Sequence, residues 1–198
     1  MTINIEDIDS AWKGHRKFAE WLVNRTNPEV VVDLGVDNGF STFCFGEPRI
    51  GHVYGVDSFE GDPCAGERDI RTYWGVLQAQ EDLKMNDNIT FIKCYFNELA
   101  SVWNKPIDIL HIDGNHSYEA VKEDFLTWCR FLKDDGVILM HDTFVFQPGF
   151  GVNRFFEEIP FPKINFTNSY GLGVVTHNQQ LLNDIKQQFK DLDILQQS

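Results

Sequence analysis

Carboxylates and imidazoles cluster at two points where apolar runs of the sequence end. Asp113 and His116 follow one run, and His141 and Asp142 follow another. Carboxylate oxygens bind Mg²⁺ or Mn²⁺, and an imidazole adds a nitrogen ligand. An imidazole with an ordinary pKa of about 6.5 can also remove a proton from a hydroxyl group. These residues predict a metal site of Asp113, His141 and Asp142, with His116 and Asp113 as catalytic residues; the alternative is that the carboxylates cap helices or turns.

A segment with two glycines, residues 33–42, predicts a cofactor site. Gly35 and Gly39 allow a tight turn and close backbone approach before a helix. Their Gly-x-x-x-Gly spacing differs from the Gly-x-Gly-x-x-Gly pattern that seats a dinucleotide, which counts against NAD. Asp57, at the end of the next apolar run, can accept hydrogen bonds from both ribose hydroxyls. The predicted cofactor-binding residues are Asp33, Gly35, Asp37, Asn38, Gly39, Ser41, Thr42, Asp57, Ser58, Phe59, Asp113 and His116.

These residues require a scaffold of alternating strands and helices. Short runs rich in β-branched residues alternate with helical patterns, which indicates an α/β fold with a mostly parallel sheet. A helix is predicted over 117–132, and the runs 164–167 and 172–176 predict an antiparallel hairpin. Because ligands bind at the carboxyl ends of parallel strands, the candidate residues should converge at one edge. The predicted parallel strands are 30–34, 52–57, 89–93, 107–113 and 136–142.

Two further segments bear on domain organisation. The long irregular stretch 59–71 follows the predicted ribose-binding strand and is expected to act as a lid. Apolar residues at helical spacing predict a C-terminal helix within 178–198, which packs on the sheet or, alternatively, binds a partner. We expect a single domain over 1–198, with a helical N-terminal segment at 1–29.

Composition narrows the possible partners and location. The chain has 30 acidic and 17 basic residues, a net charge of -13, which disfavours nucleic acid and anionic membranes. Its four cysteines form no CxxC pair, and no run is long and apolar enough to span a bilayer. A cytoplasmic location without membrane insertion is therefore expected.

The same motifs resemble those of class I S-adenosylmethionine-dependent methyltransferases. Within that class the chain is similar to the branch of macrocin-type sugar O-methyltransferases and of methyltransferase domains associated with glycosyltransferases. The Ile-Asp-Gly-x-His-x-Tyr-Glu stretch that begins at Ile112 is the most specific motif. The segments that carry the resemblance are 32–42, 55–63, 111–122, 139–143, 149–152 and 171–174.

The resemblance implies a Rossmann-like, seven-stranded, mostly parallel sheet with an antiparallel last strand and helices on both faces. It implies S-adenosylmethionine as methyl donor and, in several members, a divalent metal such as Mg or Mn. Two positions depart from relatives: Asn115 replaces an Asp, which favours His116 as the base, and His141 stands where relatives place a carboxylate. A third departure, Cys94-Tyr95-Phe96, leaves the adenine contacts open because relatives place a small residue and an acid there.

The predicted function is O-methylation of a hydroxyl on a sugar or glycan. Two alternatives stay open: a methyltransferase acting on a non-sugar small molecule, and a degenerate nucleoside-cofactor-binding module in a glycan-assembly complex. The predicted partners are the acceptor and, in addition, either a second copy of the chain or a fused or associated glycosyltransferase.

Overall fold

The computed structural model describes residues 3–62, 66–190 and 194–196. Within these residues it contains seven α-helices and ten strands, with 3₁₀ helices at Ile5–Asp7, Ala11–His15 and Cys129–Phe131. The helices α1 to α7 are Arg16–Thr26, Phe40–Gly46, Ile70–Asp82, Phe96–Val102, Tyr118–Trp128, Val152–Glu158 and Gln179–Gln188. The strands β1 to β10 are Val30–Leu34, His52–Asp57, Gly61–Asp62, Gly66–Glu67, Ile89–Lys93, Ile107–Ile112, Leu132–His141, Lys163–Phe166, Leu172–Val175 and Ile194–Gln196.

The main sheet confirms the predicted fold class. Its order is β10-β8-β9-β7-β6-β1-β2-β5, and the five strands from β7 to β5 are mutually parallel. Strand β9 runs antiparallel to both β7 and β8, as the predicted hairpin requires. These seven strands match the expected mostly parallel sheet, and β10 adds a three-residue antiparallel edge strand beside β8.

Helices cover the sheet on both faces because successive strand residues point to opposite sides. Val31 packs into one buried cluster, whereas its neighbour Val32 packs into the other. The first cluster includes residues of α1, α2, α3 and α7, and the second includes residues of α4, α5 and α6. The parallel strands are therefore buried on both faces, and their carboxyl ends meet at one edge.

Three elements differ from expectation. Strand β7 begins at Leu132, before the predicted start, because the chain pairs Leu132 with Ile107 across an irregular register. Helix α7 ends at Gln188, and residues 194–196 pair with β8 instead of extending the predicted tail helix. The segment 59–71 contains the small antiparallel pair β3 and β4 and the start of α3, so it is less irregular than predicted.

No helix in the described ranges is long and apolar enough to cross a membrane.

Candidate active site

A cavity of about 470 Å³ opens at the carboxyl ends of β1, β2, β6 and β7. This volume is within the usual range for small-molecule sites, roughly 300 to 1,000 Å³. Its wall is made mainly by five parts of the chain: the glycine loop after β1, the segment after β2, the residues after β5, the loop after β6 and the loop after β7. Ser10, Ala11 and Trp12 of the N-terminal segment close a further side.

The glycine loop adopts a geometry that only glycine tolerates at its first position. Gly35 has φ +101°, and a Cβ there would lie 1.9 Å from the Asp113 carbonyl oxygen. This close approach brings the end of β1 against the end of β6. Asp57 holds the loop from the side: its Oδ2 accepts the backbone N–H groups of Val36 (2.9 Å) and Asp37 (3.0 Å).

Asp57 is also set up as an acceptor toward the cavity. Its Oδ1 accepts the backbone N–H of Phe59 at 2.6 Å, and the residue itself lines the cavity. Burial raises the pKa of Asp57 above its ordinary 3.8, although three backbone N–H groups oppose that shift. A partly buried carboxylate here can accept ribose hydroxyls, as predicted from its place at the end of β2.

A buried polar network supports the glycine loop from below. The indole N–H of Trp12 donates to His111 Nε2 at 3.1 Å, so His111 carries its proton on Nδ1 and donates to Asp33 Oδ1 at 2.6 Å. The other Asp33 oxygen accepts from Ser41 (2.8 Å) and Thr42 (2.5 Å), on the first turn of α2. Asp33 is fully buried, so it orients the loop through this network rather than facing the cavity.

The carboxylates and imidazoles predicted to carry chemistry converge beside this loop. His116 Nε2 lies 2.8 Å from Asp142 Oδ2, and His141 Nδ1 lies 3.3 Å from Asp113 Oδ1. The other nitrogen of His141 is 2.9 Å from the Ser169 carbonyl oxygen. Neither carboxylate is a helix cap, because the helices that follow begin after Ser117 and Gly151.

The cluster also has the donor set of a cation site. Ligand atoms of Asp113, His141 and Asp142 lie within 4.8 Å of one another. Because the Ser169 carbonyl accepts the Nε2–H of His141, neutral His141 directs the lone pair of Nδ1 toward the carboxylates. Two carboxylates and one imidazole suit Mg²⁺ or Mn²⁺, so these residues fit the predicted metal.

Charges within the cluster shift the pKa values of its members. Burial opposes ionisation of both partners, but His141 holds the pKa of Asp113 well below its ordinary 3.8. Asp113 and Asp142 in turn raise the pKa of His141 above 6.5. Without a cation, the two carboxylates therefore favour the imidazolium form of His141.

Most predicted cofactor-binding residues line the cavity, but three do not. Asp33 and Thr42 are fully buried behind the loop, and Gly39 is the N-cap residue of α2, with φ +90°. The predicted residues that line the cavity are Gly35, Asp37, Asn38, Ser41, Asp57, Ser58, Phe59, Asp113, His116, His141 and Asp142.

Sequence reasoning missed several residues of the cavity wall. Trp12 comes from a 3₁₀ helix, whose short length gives no clear periodic signal. Arg68, in the predicted lid, pairs with Asp37 of the glycine loop, with Nε 2.6 Å from Oδ1. Asp124 lies on α5, directly before the buried Phe125. Its position beside the apolar face of the predicted helix was the one sequence feature that could have indicated a place in the cavity wall.

Comparison with known proteins agrees with this geometry. Residues 32–143 match a sequence family described as a methyltransferase domain. A Sinorhizobium fredii protein of uncharacterised function, y4gI, is 33% identical over 182 residues. The match covers 88% of this chain but 20% of the relative, so this chain spans about a fifth of that protein's length.

Solved structures share the fold at low sequence identity. The O-methyltransferase TomG from Streptomyces achromogenes, in complex with SAM, has a TM-score of 0.66 and 12% identity, covering 87% of this chain and 88% of that chain. An O-methyltransferase from Bacillus cereus, in complex with SAH, has a TM-score of 0.63 and 16% identity, and the match covers 82% of this chain and 80% of that chain.

The fold is that of the class I S-adenosylmethionine-dependent methyltransferases, and the chain belongs to the methyltransferase-domain family. The prediction of a methyltransferase is confirmed at the level of the family.

Proposed function

We propose that this protein transfers a methyl group from S-adenosylmethionine to a hydroxyl oxygen of a sugar or glycan. One observation carries the proposal: the glycine loop and Asp57 share a single cavity with the His116–Asp142 pair. A donor bound along the loop would therefore have its reactive end beside a base and two carboxylates. The SAM complex of the Streptomyces achromogenes neighbour supports this choice of donor.

The chain's residues have defined tasks in such a transfer. The sulfonium supplies an electrophilic methyl group, so the protein must mainly align the acceptor and remove its proton. The C–S bond breaks as the new C–O bond forms, and the sulfur leaves as a neutral thioether. His116 receives the hydroxyl proton on its imidazole, and the Asp142 carboxylate, 2.8 Å from His116 Nε2, stabilises the imidazolium that results.

Asp113, His141 and Asp142 are proposed to hold a divalent cation. Such a cation, when bound, lowers the pKa of the acceptor hydroxyl and fixes its approach. The support is the donor set and the tautomer that Ser169 imposes on His141. In this arrangement Asp142 contacts both the cation and His116, so the two functions are linked through one side chain.

A neutral sugar hydroxyl is the proposed acceptor because of the family resemblance and the net charge of -13, which disfavours polyanionic acceptors. We also propose a cytoplasmic location and a partnership with either a glycosyltransferase or a second copy of the chain.

The test is a screen of purified protein with methyl-labelled donor against sugars, glycolipids and small phenols, with and without chelator. We expect label on a sugar hydroxyl, loss of turnover with EDTA and recovery with Mg²⁺ or Mn²⁺. The matched variants are Asp142→Asn, which should lose turnover, and Glu119→Gln, an exposed carboxylate on α5 that should not. Transfer only to phenols would contradict the sugar acceptor, and turnover that ignores both EDTA and Asp142→Asn would contradict the cation.

A further inference from the structure

One end of the cavity contains a carboxyl group that the proposed chemistry does not use. Asp124, on the inward side of α5, lines the cavity with Phe96 and Asn97, which follow β5. Its side chain is partly buried, yet its carboxyl makes no hydrogen bond or ion pair with any residue that the structure describes. Burying a carboxyl without a hydrogen-bond partner raises the free energy of the folded protein. Asp124 is therefore a candidate to bind a ligand.

The end of the cavity beside Asp124, called the slot below, has one aromatic wall. The ring of Phe96 lies over Gly114, where an added Cβ would be 2.5 Å from Phe96 Cε2. The same Cβ would be 3.4 Å from Asp124 Oδ2, so the ring and the carboxyl flank one position. Glycine at position 114 lets the ring of Phe96 approach the backbone closely, and the ring and the Asp124 carboxyl both border the cavity, where a flat group can lie against the ring.

The position of the slot determines which part of a donor can reach it. Asp57, the proposed ribose acceptor, ends β2, and β5 is the next strand outward in the sheet. The reactive groups Asp113 and His116 lie on the other side, after β6. A nucleoside with its ribose at Asp57 and its sulfonium near His116 has only its base left to fill the slot beside Phe96.

We propose that Asp124 recognises the adenine base of the methyl donor through the exocyclic amino group and the neighbouring ring nitrogen. This inference rests on the proposed function, since it assumes that the donor carries adenosine. It assigns the adenine contact to a helix residue, because the segment Cys94-Tyr95-Phe96 after β5 contains no acid. The amino group of adenine donates to one carboxyl oxygen, and the second oxygen faces the ring nitrogen.

The electrostatic setting of Asp124 suits that pairing. Burial, together with the adjacent carboxylate of Glu123, raises the pKa of Asp124 to about 7. A carboxyl that holds a proton can accept from the adenine amino group and donate to the ring nitrogen at the same time. An asparagine amide presents the same donor and acceptor, so Asp124→Asn should preserve recognition, whereas Asp124→Leu should abolish it.

A double-mutant cycle, with one change in the protein and one in the ligand, tests the contact between Asp124 and the adenine amino group. The probes are S-adenosylhomocysteine and its analogue with purine in place of adenine, which lacks only the amino group. Loss of that group should weaken calorimetric binding about tenfold for the wild type and for Asp124→Asn, the usual magnitude for one hydrogen bond. For Asp124→Leu the two ligands should bind with equal affinity, because the partner of the amino group is gone. Glu119→Gln, an exposed change on the same helix, should behave as the wild type.

The possible outcomes separate this inference from the proposed function. If Asp124→Leu discriminates between the two ligands as strongly as the wild type, Asp124 does not read the amino group, while donor binding stands. A wild type that binds S-adenosylhomocysteine and its purine analogue equally also overturns the inference alone. If the wild type binds neither ligand, the proposed donor is wrong and the inference fails with it.

Discussion

Asp142 connects the two halves of the proposed chemistry. Its carboxylate lies 2.8 Å from His116 and belongs to the candidate cation cluster with Asp113 and His141. The residue adopts the left-handed conformation, with φ 59°, which is uncommon outside glycine. Strain of this kind persists where the surrounding structure requires a particular side-chain position.

Replacing His116 should separate proton removal from donor binding. His116→Ala should lower turnover by about 10² to 10⁴, the usual contribution of a general base. The residual rate should rise with pH as hydroxide replaces the imidazole, while calorimetric affinity for the donor stays near the wild-type value. His177→Ala removes an exposed imidazole and provides the control. Unchanged turnover in His116→Ala would remove this residue from the mechanism.

His15 should make the folded state sensitive to acid. Burial, with a contribution from the nearby His141, lowers the pKa of His15 from 6.5 to about 3. The unfolded chain therefore binds a proton that the native protein excludes, so stability is lost as pH falls from about 6.5 toward about 3. Between pH 7 and pH 5 this group should cost the native state about 2 kcal/mol.

Urea unfolding at pH 7 and pH 5 measures that effect. His15→Gln, which can still donate to the Ser169 carbonyl, should lose less stability over this interval than the wild type does. His177→Gln, at an exposed position, should show the wild-type change. An equal loss of stability in His15→Gln and wild type would mean that His15 titrates normally in the folded protein.

The segment 59–71 is joined to the glycine loop by one ion pair. Arg68 Nε lies 2.6 Å from Asp37 Oδ1, and both side chains line the cavity. By contrast, Arg71 of α3 pairs with Asp69, the residue that caps this helix, and is largely exposed. The pairing of Arg68 gives the predicted lid a specific contact through which it can close over the donor.

Hydrogen exchange tests the lid. Amides of residues 59–62 and 66–71 should become more protected when donor and acceptor bind, because closure removes them from solvent. Arg68→Ala should reduce this protection and weaken donor binding several-fold, while Arg71→Ala should do neither. If exchange in these residues does not change on ligand binding, the segment is part of a static wall.

Elements with strong local patterns were predictable, and residues placed by tertiary contact were not. Strands β1, β2 and β5 have the predicted bounds, because each is a short apolar run with a polar residue at its end or next to it. The burial of Asp33 depends on Trp12 and His111, which are distant in sequence. The position of Asp124 in the cavity likewise depends on how α5 crosses the sheet beside Phe96. No local pattern contains that information.

At the scale of the whole molecule, one parallel sheet brings the cofactor residues and the reactive residues to the same edge. The relative from Sinorhizobium fredii, of which this chain spans 20%, shows that such a domain also occurs within a much longer protein. The activity of this chain in isolation is therefore the first property to establish.

Calorimetry with S-adenosylhomocysteine tests the central claim most directly. The wild type should bind one equivalent, and its melting temperature should rise with ligand concentration, because the ligand binds only the folded state. Asp57→Ala should bind at least about tenfold more weakly, since it removes the ribose acceptor. A melting curve of each protein without ligand shows whether that variant folds, and Asp57→Asn provides a closer replacement that keeps one carbonyl acceptor. Absence of heat with both S-adenosylmethionine and S-adenosylhomocysteine, together with clear binding of NAD, would contradict the account.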